Sequence, residues 1–343
     1  MPKTSKPDKH VIVIGAAGGM GLWTARHWFA ELDDIARVTL CDVEPLSDKA
    51  RGAISDAPAS IEYVRAEYSA SGLSLVDWET IDSASNASVG WPEMSKMDLV
   101  VLAVPLSAIG AVMDGLNGQL ATDAWLIDMS SVKTAPLAHM VKLAGPGVAV
   151  VGTHPLFGIT GNSITDKTVA LVPTQTDDGS LIRWLDEGLQ RLGAITMNVT
   201  AEKHDRYMLI AQTMTHFALM AFGDAVTSSL QDDESLEELR QFGTPPYLAM
   251  GAVTGRLLTQ NHHLYASIQH TEGAKNIREV FAESAQRLAN SFAEGSLDDI
   301  EVELDGLADR YGTAELSIST RLSEEMFRAG RIDAGDDPER SDS

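Results

Sequence analysis

Three observations predict an α/β domain followed by an all-α domain. Short apolar runs alternate with helical patterns up to about residue 199, which is typical of strands joined by crossover helices. From Ala201 onward the strand pattern stops and long helical patterns follow. The chain has 343 residues, more than one hydrophobic core commonly supports. We therefore expect one domain at residues 9–199 and a second at residues 200–330.

The elements predicted for the first domain are those of a parallel sheet with helices. Each candidate strand is a short apolar run bounded by turn residues or by a helical pattern. Strands are expected at residues 10–15, 38–42, 98–104, 125–128, 148–151, 169–172 and 194–199. A first helix is expected at residues 22–32, and later helices at about residues 203–229, 246–260, 275–294 and 297–311. The segment 229–238 is expected to be a solvated loop or the start of a helix.

Composition excludes several classes of protein. The formal net charge of −23 opposes non-specific binding to nucleic acid, so no nucleic-acid partner is expected. No apolar run is long enough for a membrane-spanning helix, so no membrane association is expected. The single cysteine, Cys41, allows no intramolecular disulfide and fits a cytoplasmic protein. No metal site is predicted, and the polar ends, residues 1–8 and 331–343, are expected to be disordered.

A glycine-rich turn follows the first predicted strand and opens the first helix. The pattern G-x-x-G-x-x-G is formed by Gly15, Ala16, Gly18, Gly19, Met20 and Gly21, with one further alanine. Glycine permits a tight turn, close approach of the backbone to a pyrophosphate and packing of the helix on the strand. Free N–H groups at the helix N-terminus favour phosphate. The pattern predicts a Rossmann-type dinucleotide-binding domain; an ordinary glycine-rich turn is the alternative.

An acidic residue at the end of the second predicted strand favours NAD over NADP. Asp42 lies 21 residues beyond Gly21, where a carboxylate accepts hydrogen bonds from both ribose hydroxyls and repels a 2′-phosphate. Val104 and Pro105, at the end of the strand predicted for residues 98–104, are expected to line the same site. NAD is therefore the predicted cofactor.

The segment 152–158, GTHPLFG, holds the main candidate for proton chemistry. It follows the apolar run 148–151, so His154 is expected just past a strand, at the edge where doubly wound sheets bind ligands. Pro155 fixes the direction in which the chain leaves the strand. Because histidine exchanges protons near neutral pH, His154 is predicted to be a general acid or base. The alternative is a hydrogen-bonded histidine at a strand end.

The segment 128–133, DMSSVK, follows another predicted strand and is expected at the same edge of the sheet. Ser131 can orient an imidazole or a substrate hydroxyl. Lys133 can offer a positive charge to a carboxylate or to the cofactor. A helix N-cap serine and a surface lysine would explain the same residues without a site.

Three further candidates lie in the predicted helical domain. His204 and His216 are 12 residues apart, about 18 Å along a continuous helix, so both cannot contact one small substrate. His204, beside Asp205, is expected to be structural or near the cofactor, and His216 is the better candidate for substrate contact. Arg256 is predicted to bind a carboxylate through its guanidinium. Hydrogen-bonded interhelical histidines and a helix-end arginine are the alternatives.

These motifs resemble those of a known family. GTHPLFG, DMSSVK, KHDRYM with the following THF, and GRLLTQ with LYASIQ occur in the order typical of the prephenate dehydrogenase family, over residues 10–312. The resemblance implies an N-terminal dinucleotide-binding domain and an all-helical C-terminal domain that forms a homodimer. It also implies oxidative decarboxylation of prephenate, or of its amino analogue arogenate, in tyrosine biosynthesis.

The resemblance implies roles for individual residues as well. His154 matches the histidine that takes the proton of the ring hydroxyl, after which hydride leaves the same carbon for the nicotinamide and carbon dioxide is lost. Ser131 matches a serine that positions the histidine and the hydroxyl, Arg256 an arginine that binds a substrate carboxylate, and His216 a histidine near the substrate side chain. Lys133 and His204 match supporting positions.

Some features depart from the family's pattern and leave the substrate open. The turn GAAGGMG resembles that of malate dehydrogenases, and GTHPLFG continues into Ile159 and Asn162 rather than the common proline and serine. Prephenate is the expected substrate, with arogenate and 4-amino-4-deoxyprephenate as alternatives. Glu202 is a candidate partner for the amino group of arogenate, or a charge that complements a helix N-terminus. A malate-type dehydrogenase is opposed by the helical second half, and a non-catalytic NAD-binding protein by the intact candidate catalytic residues.

Overall fold

The structure is a computed structural model with two compact units, Met1–Met208 and Leu209–Ser343. It describes residues 8–48, 50, 52, 57, 59–65, 67–69, 72–74, 94–159 and 161–329. The predicted disorder of the chain ends therefore lies outside the described residues, apart from Asp8, whose N–H donates to the Asp34 carbonyl. The first unit contains a large sheet, and the second is helical in its described residues.

Each strand predicted from the sequence is present in the first unit, with ends that differ by up to four residues. The described strands are β1 (Lys9–Ile14), β2 (Ile35–Asp42), β3 (Ser60–Arg65), β4 (Glu67–Ser69), β5 (Gly72–Ser74), β6 (Leu99–Leu102), β7 (Trp125–Asp128), β8 (Ala149–Pro155), β9 (Thr168–Pro173) and β10 (Ile195–Asn198). The helices are α1 (Gly19–His27), α2 (Leu106–Leu116), α3 (Thr134–Leu143), α4 (Ser180–Arg191) and α5 (Ala201–Met208), with 3₁₀ turns at Phe29–Glu31 and Met94–Lys96.

The eight-stranded sheet has the order β10-β9-β8-β7-β6-β1-β2-β3. Along this order, the strands β8, β7, β6, β1, β2 and β3 are parallel to one another, and β9 is parallel to β10. The neighbours β8 and β9 are antiparallel. The expectation of a wholly parallel sheet is wrong at this pair. The described part of segment 156–167 contains no helix, and without a crossover the returning strand must run antiparallel.

Both faces of the sheet are covered, which explains why its strands read as continuous apolar runs. Along β1, Val11 and Val13 belong to one hydrophobic cluster, and Ile12 and Ile14 belong to the other. The alternation follows the two-residue period of a strand. Full burial of an aliphatic side chain stabilises a fold by about 1.5–3 kcal/mol, so this central strand is a major source of the first unit's stability.

The second unit consists of helices in its described residues. They are a π-helical turn (Leu209–Met214), α6 (Thr215–Ser229), α7 (Leu236–Gln241), α8 (Pro245–Leu258), α9 (His262–Gln269), α10 (Ala274–Glu294), α11 (Leu297–Tyr311) and α12 (Thr313–Ala329). Capping boxes start α7, at Ser235 with Glu238, and α11, at Ser296 with Asp299. Their reciprocal hydrogen bonds satisfy N–H groups at the helix starts. No helix in the described ranges is both long and apolar enough to span a bilayer.

The continuous helix predicted for residues 203–229 is interrupted by the π-helical turn. Thr215 Oγ1 donates to the Ile210 carbonyl at 3.2 Å, and Gln269 Nε2 donates to the Thr213 carbonyl at 2.8 Å. Side chains thus donate hydrogen bonds to carbonyls of the irregular turn. The periodicity of apolar residues in the sequence does not reveal such a turn. π-helical turns occur frequently at functional sites.

Large apolar side chains of the second unit are widely exposed. Leu257, Ile268 and Ala274 are its buried apolar residues within the described range. On α11, Leu297 is 80% exposed, Leu304 50% and Tyr311 58%. Residues seven apart share one face of a helix, so these three form an exposed apolar stripe, the α11 stripe.

Candidate active site

The glycine-rich turn has the close geometry that its sequence predicts. Gly15 has a φ of +92°, and a Cβ there would lie 2.6 Å from the Ala103 carbonyl oxygen. A Cβ at Gly21 would lie 2.4 Å from the Gly15 oxygen, so the helix start packs directly on the turn. Gly18 is the N-cap of α1, with no side-chain cap. The first N–H groups of α1 therefore have no intrahelical partner and can bind an anion.

Asp42 ends β2 beside this turn. Its Oδ2 accepts a hydrogen bond from the Ala17 N–H at 2.7 Å, and its Oδ1 accepts one from the Glu44 N–H at 3.0 Å. The side chain is half-buried, and its oxygens have lone pairs for further donors. Burial, and then the charge of Asp42, raise the pKa of Cys41 to about 12, so that thiol stays protonated. The turn and the carboxylate fit the phosphates and the ribose of a dinucleotide.

The other predicted cofactor residues differ in burial. Ala16 is fully buried, and Met20 is half-buried in the first turn of α1. A Cβ on Gly15 would lie 2.9 Å from Val104 Cγ1. Pro105 is exposed as the N-cap residue of α2. Of these residues, Val104 is the one in the described chain whose closeness to the turn is set by the packing at Gly15.

The loop that follows His154 lies against the start of α1. Trp23 Nε1 donates to the Gly161 carbonyl at 2.9 Å, and the rings of Trp23 and Phe157 are 5.2 Å apart. A Cβ at Gly19 would lie 2.5 Å from Ile159 Cδ1. The segment that carries the candidate base is thereby attached to the candidate phosphate-binding turn.

His154 lies within β8 rather than just past its end. The antiparallel partner β9 extends the ladder, so that His154 pairs with Ala170. The side chain is 7% exposed, and its Nδ1 lies 3.0 Å from Nε2 of His204. Burial, followed by the charges of Lys133 and His204, holds the pKa of His154 well below 6.5. The imidazole is therefore neutral at pH 7 and able to accept a proton.

His204 and Asp205 continue a hydrogen-bonded chain from His154. His204 is buried, and its Nδ1 lies 2.8 Å from Oδ1 of Asp205. The Asp205 carboxylate also accepts the N–H groups of Lys133 and Thr134, each at 2.8 Å. Burial raises the pKa of Asp205, but hydrogen bonds from His204, Thr134 and Lys133 outweigh it and lower the value to about 2. Asp205 is therefore a carboxylate that joins α5 to the start of α3.

Lys133 differs from its expected role. Its side chain is fully buried, with Nζ at 2.8 Å and 2.7 Å from the two carboxylate oxygens of Asp128. Burial lowers the pKa of Lys133, and the Asp128 charge opposes this change. The sequence predicted that Lys133 contacts the substrate or the cofactor. The structure differs, because the ammonium is paired with Asp128 inside the protein. It acts on its surroundings through Asp128 and through its charge near His154.

Gly152 makes room for this buried lysine. A Cβ at Gly152 would lie 2.8 Å from Lys133 Cδ and 2.9 Å from Leu137 Cδ1. Gly152 also pairs in register with Asp128, and the Thr153 hydroxyl donates to the Asp128 carbonyl at 2.7 Å. The side chains that follow the neighbouring strand β7 thus explain why the first residue of GTHPLFG is a glycine.

Ser131 is half-buried, two residues before Lys133 in the chain. In the described part of the chain, the hydrogen-bond partner of the His154 ring is His204 and not Ser131. The adjacent Ser130 bonds Asp128, and its hydroxyl donates to the Val132 carbonyl at 2.6 Å. His204, which the sequence placed in a supporting role, is the observed partner of His154.

In the second unit, two candidate substrate residues meet around Tyr265. The rings of His216 and Tyr265 are 4.9 Å apart, and burial lowers the pKa of His216. His216 Nδ1 is buried without a hydrogen-bond partner among the described residues. Arg256 is exposed on α8, and its charge opposes the increase that burial causes in the pKa of Tyr265. The Tyr265 hydroxyl donates to Gln260 Oε1 at 2.6 Å.

The sequence carries partial signals for contacts of the site that were not predicted from it. The adjacent His204 and Asp205 at a helix start indicate a pair, but not that the pair reaches His154. Asp128 ends a predicted strand, and its burial with Lys133 follows only from the register of β7 and β8. Tyr265 lies in the LYASIQ motif, without a spacing that indicates its contact with His216.

Two family models match the chain in sequence. The nucleotide-binding domain of prephenate dehydrogenase matches residues 76–198. The dimerization domain of prephenate dehydrogenase matches residues 200–304. The first match includes β6 to β10 but neither the glycine-rich turn nor Asp42, and the second ends within α11.

Curated relatives carry related names. A probable arogenate/prephenate dehydrogenase of Methanocaldococcus jannaschii is 32% identical over 198 residues, which are 57% of this chain and 43% of the relative. A 4-amino-4-deoxyprephenate dehydrogenase of Streptomyces pristinaespiralis is 31% identical over 244 residues, which are 69% of this chain and 77% of the relative. The chain spans less than half the length of the first relative and three quarters of the second.

A solved structure shares the fold. The prephenate dehydrogenase of Aquifex aeolicus, crystallised in complex with hydroxyphenyl propionate and NAD+, matches with a TM-score of 0.63. The match has 17% sequence identity and covers 88% of this chain and 96% of that one. At this identity, the likeness concerns the fold.

Proposed function

The chain belongs to the prephenate dehydrogenase family, and from that premise we propose that it oxidatively decarboxylates prephenate to 4-hydroxyphenylpyruvate with NAD. The observation that carries the proposal is His154, a buried neutral imidazole hydrogen-bonded to His204. A base that is neutral at working pH suits removal of a hydroxyl proton. The loop that follows it contacts the glycine-rich turn of the same unit.

His154 Nε2 is the proposed proton acceptor. Its Nδ1 is engaged with His204, which leaves Nε2 for the ring hydroxyl of the substrate. Removal of that proton drives electrons toward the ring carbon from which hydride departs, and loss of the ring carboxylate as carbon dioxide makes the product aromatic. Ser131 is proposed to hold the hydroxyl, since its side chain lies half-buried after β7. Low polarity around the imidazole strengthens each of these interactions.

NAD is the proposed cofactor, bound by the domain predicted at residues 9–199. The turn from Gly15 to Gly21 would hold the phosphates, with Val104 and Pro105 beside them, and Asp42 would bind the ribose hydroxyls. A carboxylate at Asp42 opposes the 2′-phosphate of NADP. When bound, NAD supplies the acceptor for the hydride.

Arg256 and His216 are the proposed substrate-binding residues of the domain predicted at residues 200–330. The exposed guanidinium of Arg256 suits a carboxylate. His216 is neutral, with a buried Nδ1 that lacks a partner in the described chain, and suits the polar side chain of the substrate. Lys133 is proposed to support the site through Asp128 rather than by contact with the substrate.

A second candidate substrate is 4-amino-4-deoxyprephenate. The relative that carries this name is matched over 77% of its length, and the reaction would use the same residues. Arogenate is a third candidate, with Glu202 as the candidate partner of its amino group. Glu202 and His204 are two residues apart on α5, about 200° around the helix, so Glu202 points away from the face that meets His154.

We also propose that the protein is a cytoplasmic homodimer. The dimerization-domain match covers residues 200–304, and this region includes exposed apolar residues of the α11 stripe. A second copy would cover such surface, and exposed apolar patches of this kind commonly mark interfaces.

The test is NADH formation by the purified protein on prephenate, arogenate, 4-amino-4-deoxyprephenate and malate, each with NAD and with NADP. We expect activity on prephenate with NAD. Greater activity on an amino-substituted acid would replace the proposed substrate and keep the chemistry. Activity on malate alone, or on none of the four acids, would refute the proposal.

A further inference from the structure

We propose that Asp205, acting through His204, fixes His154 in the tautomer that carries its proton on Nδ1 and leaves Nε2 unprotonated. His204 and Asp205 are then positioning residues, since neither is assigned a contact with the substrate. The inference rests on the proposed function in that it explains why Nε2 of His154 can act as a base.

The direction of each hydrogen bond follows from the carboxylate. An ionised carboxylate only accepts hydrogen bonds, and Asp205 Oδ1 lies 2.8 Å from Nδ1 of His204. His204 therefore carries its proton on Nδ1 and presents a lone pair at Nε2. That lone pair lies 3.0 Å from Nδ1 of His154, so His154 must donate from Nδ1. Its Nε2 is left as an acceptor.

The opposite arrangement is unfavourable at the contact with Asp205 and would also remove the base. If His204 carried its proton on Nε2, a nitrogen lone pair and a carboxylate oxygen would face each other at the 2.8 Å contact. His154 would then have to accept at Nδ1 and carry its own proton on Nε2, where it could not act as a base. Both rings are buried, so water cannot readily satisfy the mismatched groups.

Asp205 is itself held in place by backbone donors. Its Oδ1 accepts the Lys133 N–H and its Oδ2 accepts the Thr134 N–H, at the start of α3. Negative charge is favoured at a helix N-terminus, so the carboxylate remains ionised and cannot rotate without losing these bonds. The Asp205 end of this hydrogen-bonded chain is therefore fixed.

The first arm of the test reads the tautomer directly. In protein labelled with ¹⁵N-histidine, long-range ¹H–¹⁵N spectra show which nitrogen of each ring is protonated, and His154→Asn identifies the signals of His154. We expect wild-type His154 to be protonated on Nδ1. Protonation on Nε2 in the folded wild-type protein would overturn the inference without recourse to any activity.

The second arm perturbs the chain. Asp205→Asn places an amide donor against existing donors, and we expect the His154 proton to move toward Nε2 and kcat to fall on the order of 100-fold, with little change in the KM for NAD. Glu187→Gln, an exposed acid on α4, removes the same charge and should change neither. An unchanged tautomer and kcat in folded Asp205→Asn would contradict the proposal.

A rescue pair separates positioning from simple packing. His204→Phe removes the acceptor, and His204→Gln offers an amide oxygen in its place, so the glutamine variant should retain more kcat than the phenylalanine variant. Equal losses would argue against a role in orientation. If the wild type is inactive on every acid tested, the proposed function fails, whereas the tautomer measured by NMR still decides this inference.

Discussion

The two units of the chain differ in how far their large apolar side chains are buried. In the first, both faces of the sheet are covered, and residues such as Trp28 and Phe29 are fully buried. In the second, Phe242 is 83% exposed and Leu297 80% exposed. The first unit thus contains its own hydrophobic core, whereas the second leaves apolar area that a partner could cover. We therefore expect the first unit to be stable by itself and the second to gain stability from the proposed association.

The candidate polar residues of the two units also differ in burial. In the first unit Asp128, Lys133, His154 and His204 are all buried, where low polarity shifts pKa values and fixes hydrogen-bond directions. In the second unit Arg256 is exposed, which suits capture of an anion from solvent. We therefore expect proton chemistry in a closed environment and recognition in an open one.

The largest effect is expected from breaking the buried ion pair. Lys133→Met leaves Asp128 charged and unpaired, and should lower the free energy of unfolding of the first unit by about 3–5 kcal/mol. Urea unfolding followed by circular dichroism measures it. Lys142→Met, at an exposed lysine of α3, the helix that Lys133 caps, should stay within about 0.5 kcal/mol of wild type. A loss no greater than that of this control would mean that burial of the pair contributes little.

Loss of the proposed base is expected to have the next largest effect. His154→Asn should lower kcat by about 100-fold and leave NAD affinity unchanged, because the imidazole is not part of the glycine turn. Steady-state kinetics and NAD titration separate the two. Near-normal turnover would contradict the assigned role.

The pH profile sharpens the same prediction. The base must be neutral, and the pKa of His154 is held well below 6.5. In wild type, kcat/KM should therefore stay level as pH decreases through 6.5 and fall only below the lowered pKa. An acid limb centred near 6.5 would indicate that the active base is exposed to water.

A smaller effect is expected on assembly. Leu304→Asp places a charge in the α11 stripe and removes roughly 2 kcal/mol of apolar burial per protomer if a second copy covers it. Light scattering across a concentration series should show a shift toward monomer. Val302→Asp is the control, since Val302 is 70% exposed on nearly the opposite face of α11. A shift only in the control would place the interface on that other face.

The smallest effect is expected at Arg256. Arg256→Ala should raise the substrate KM about tenfold, equivalent to about 1.4 kcal/mol, with the KM for NAD unchanged. Arg321→Ala, on exposed surface of α12, should change neither. Equal increases in both KM values at Arg256 would show a general disturbance rather than substrate recognition.

Local patterns predicted the elements well because their causes are local. Apolar runs located seven of the eight described strands of the large sheet and missed β3. The close contacts at Gly15 and Gly21 follow from the turn that the glycines permit. Strand direction was predicted less well. The run at residues 169–172 has the same composition in a parallel or an antiparallel strand, and only the path of the preceding segment makes β9 antiparallel to β8.

The sequence by itself determined the alternation of strands and helices, the change to an all-helical half, the glycine-rich turn with Asp42, and His154 as the candidate base. Tertiary structure decided the partners. His154 bonds His204, 50 residues away, and Lys133 turns inward to Asp128 across the space left by Gly152. Propensity and periodicity act over a few residues. The partner of a buried charge depends instead on packing, and packing depends on the register of strands that are distant in sequence.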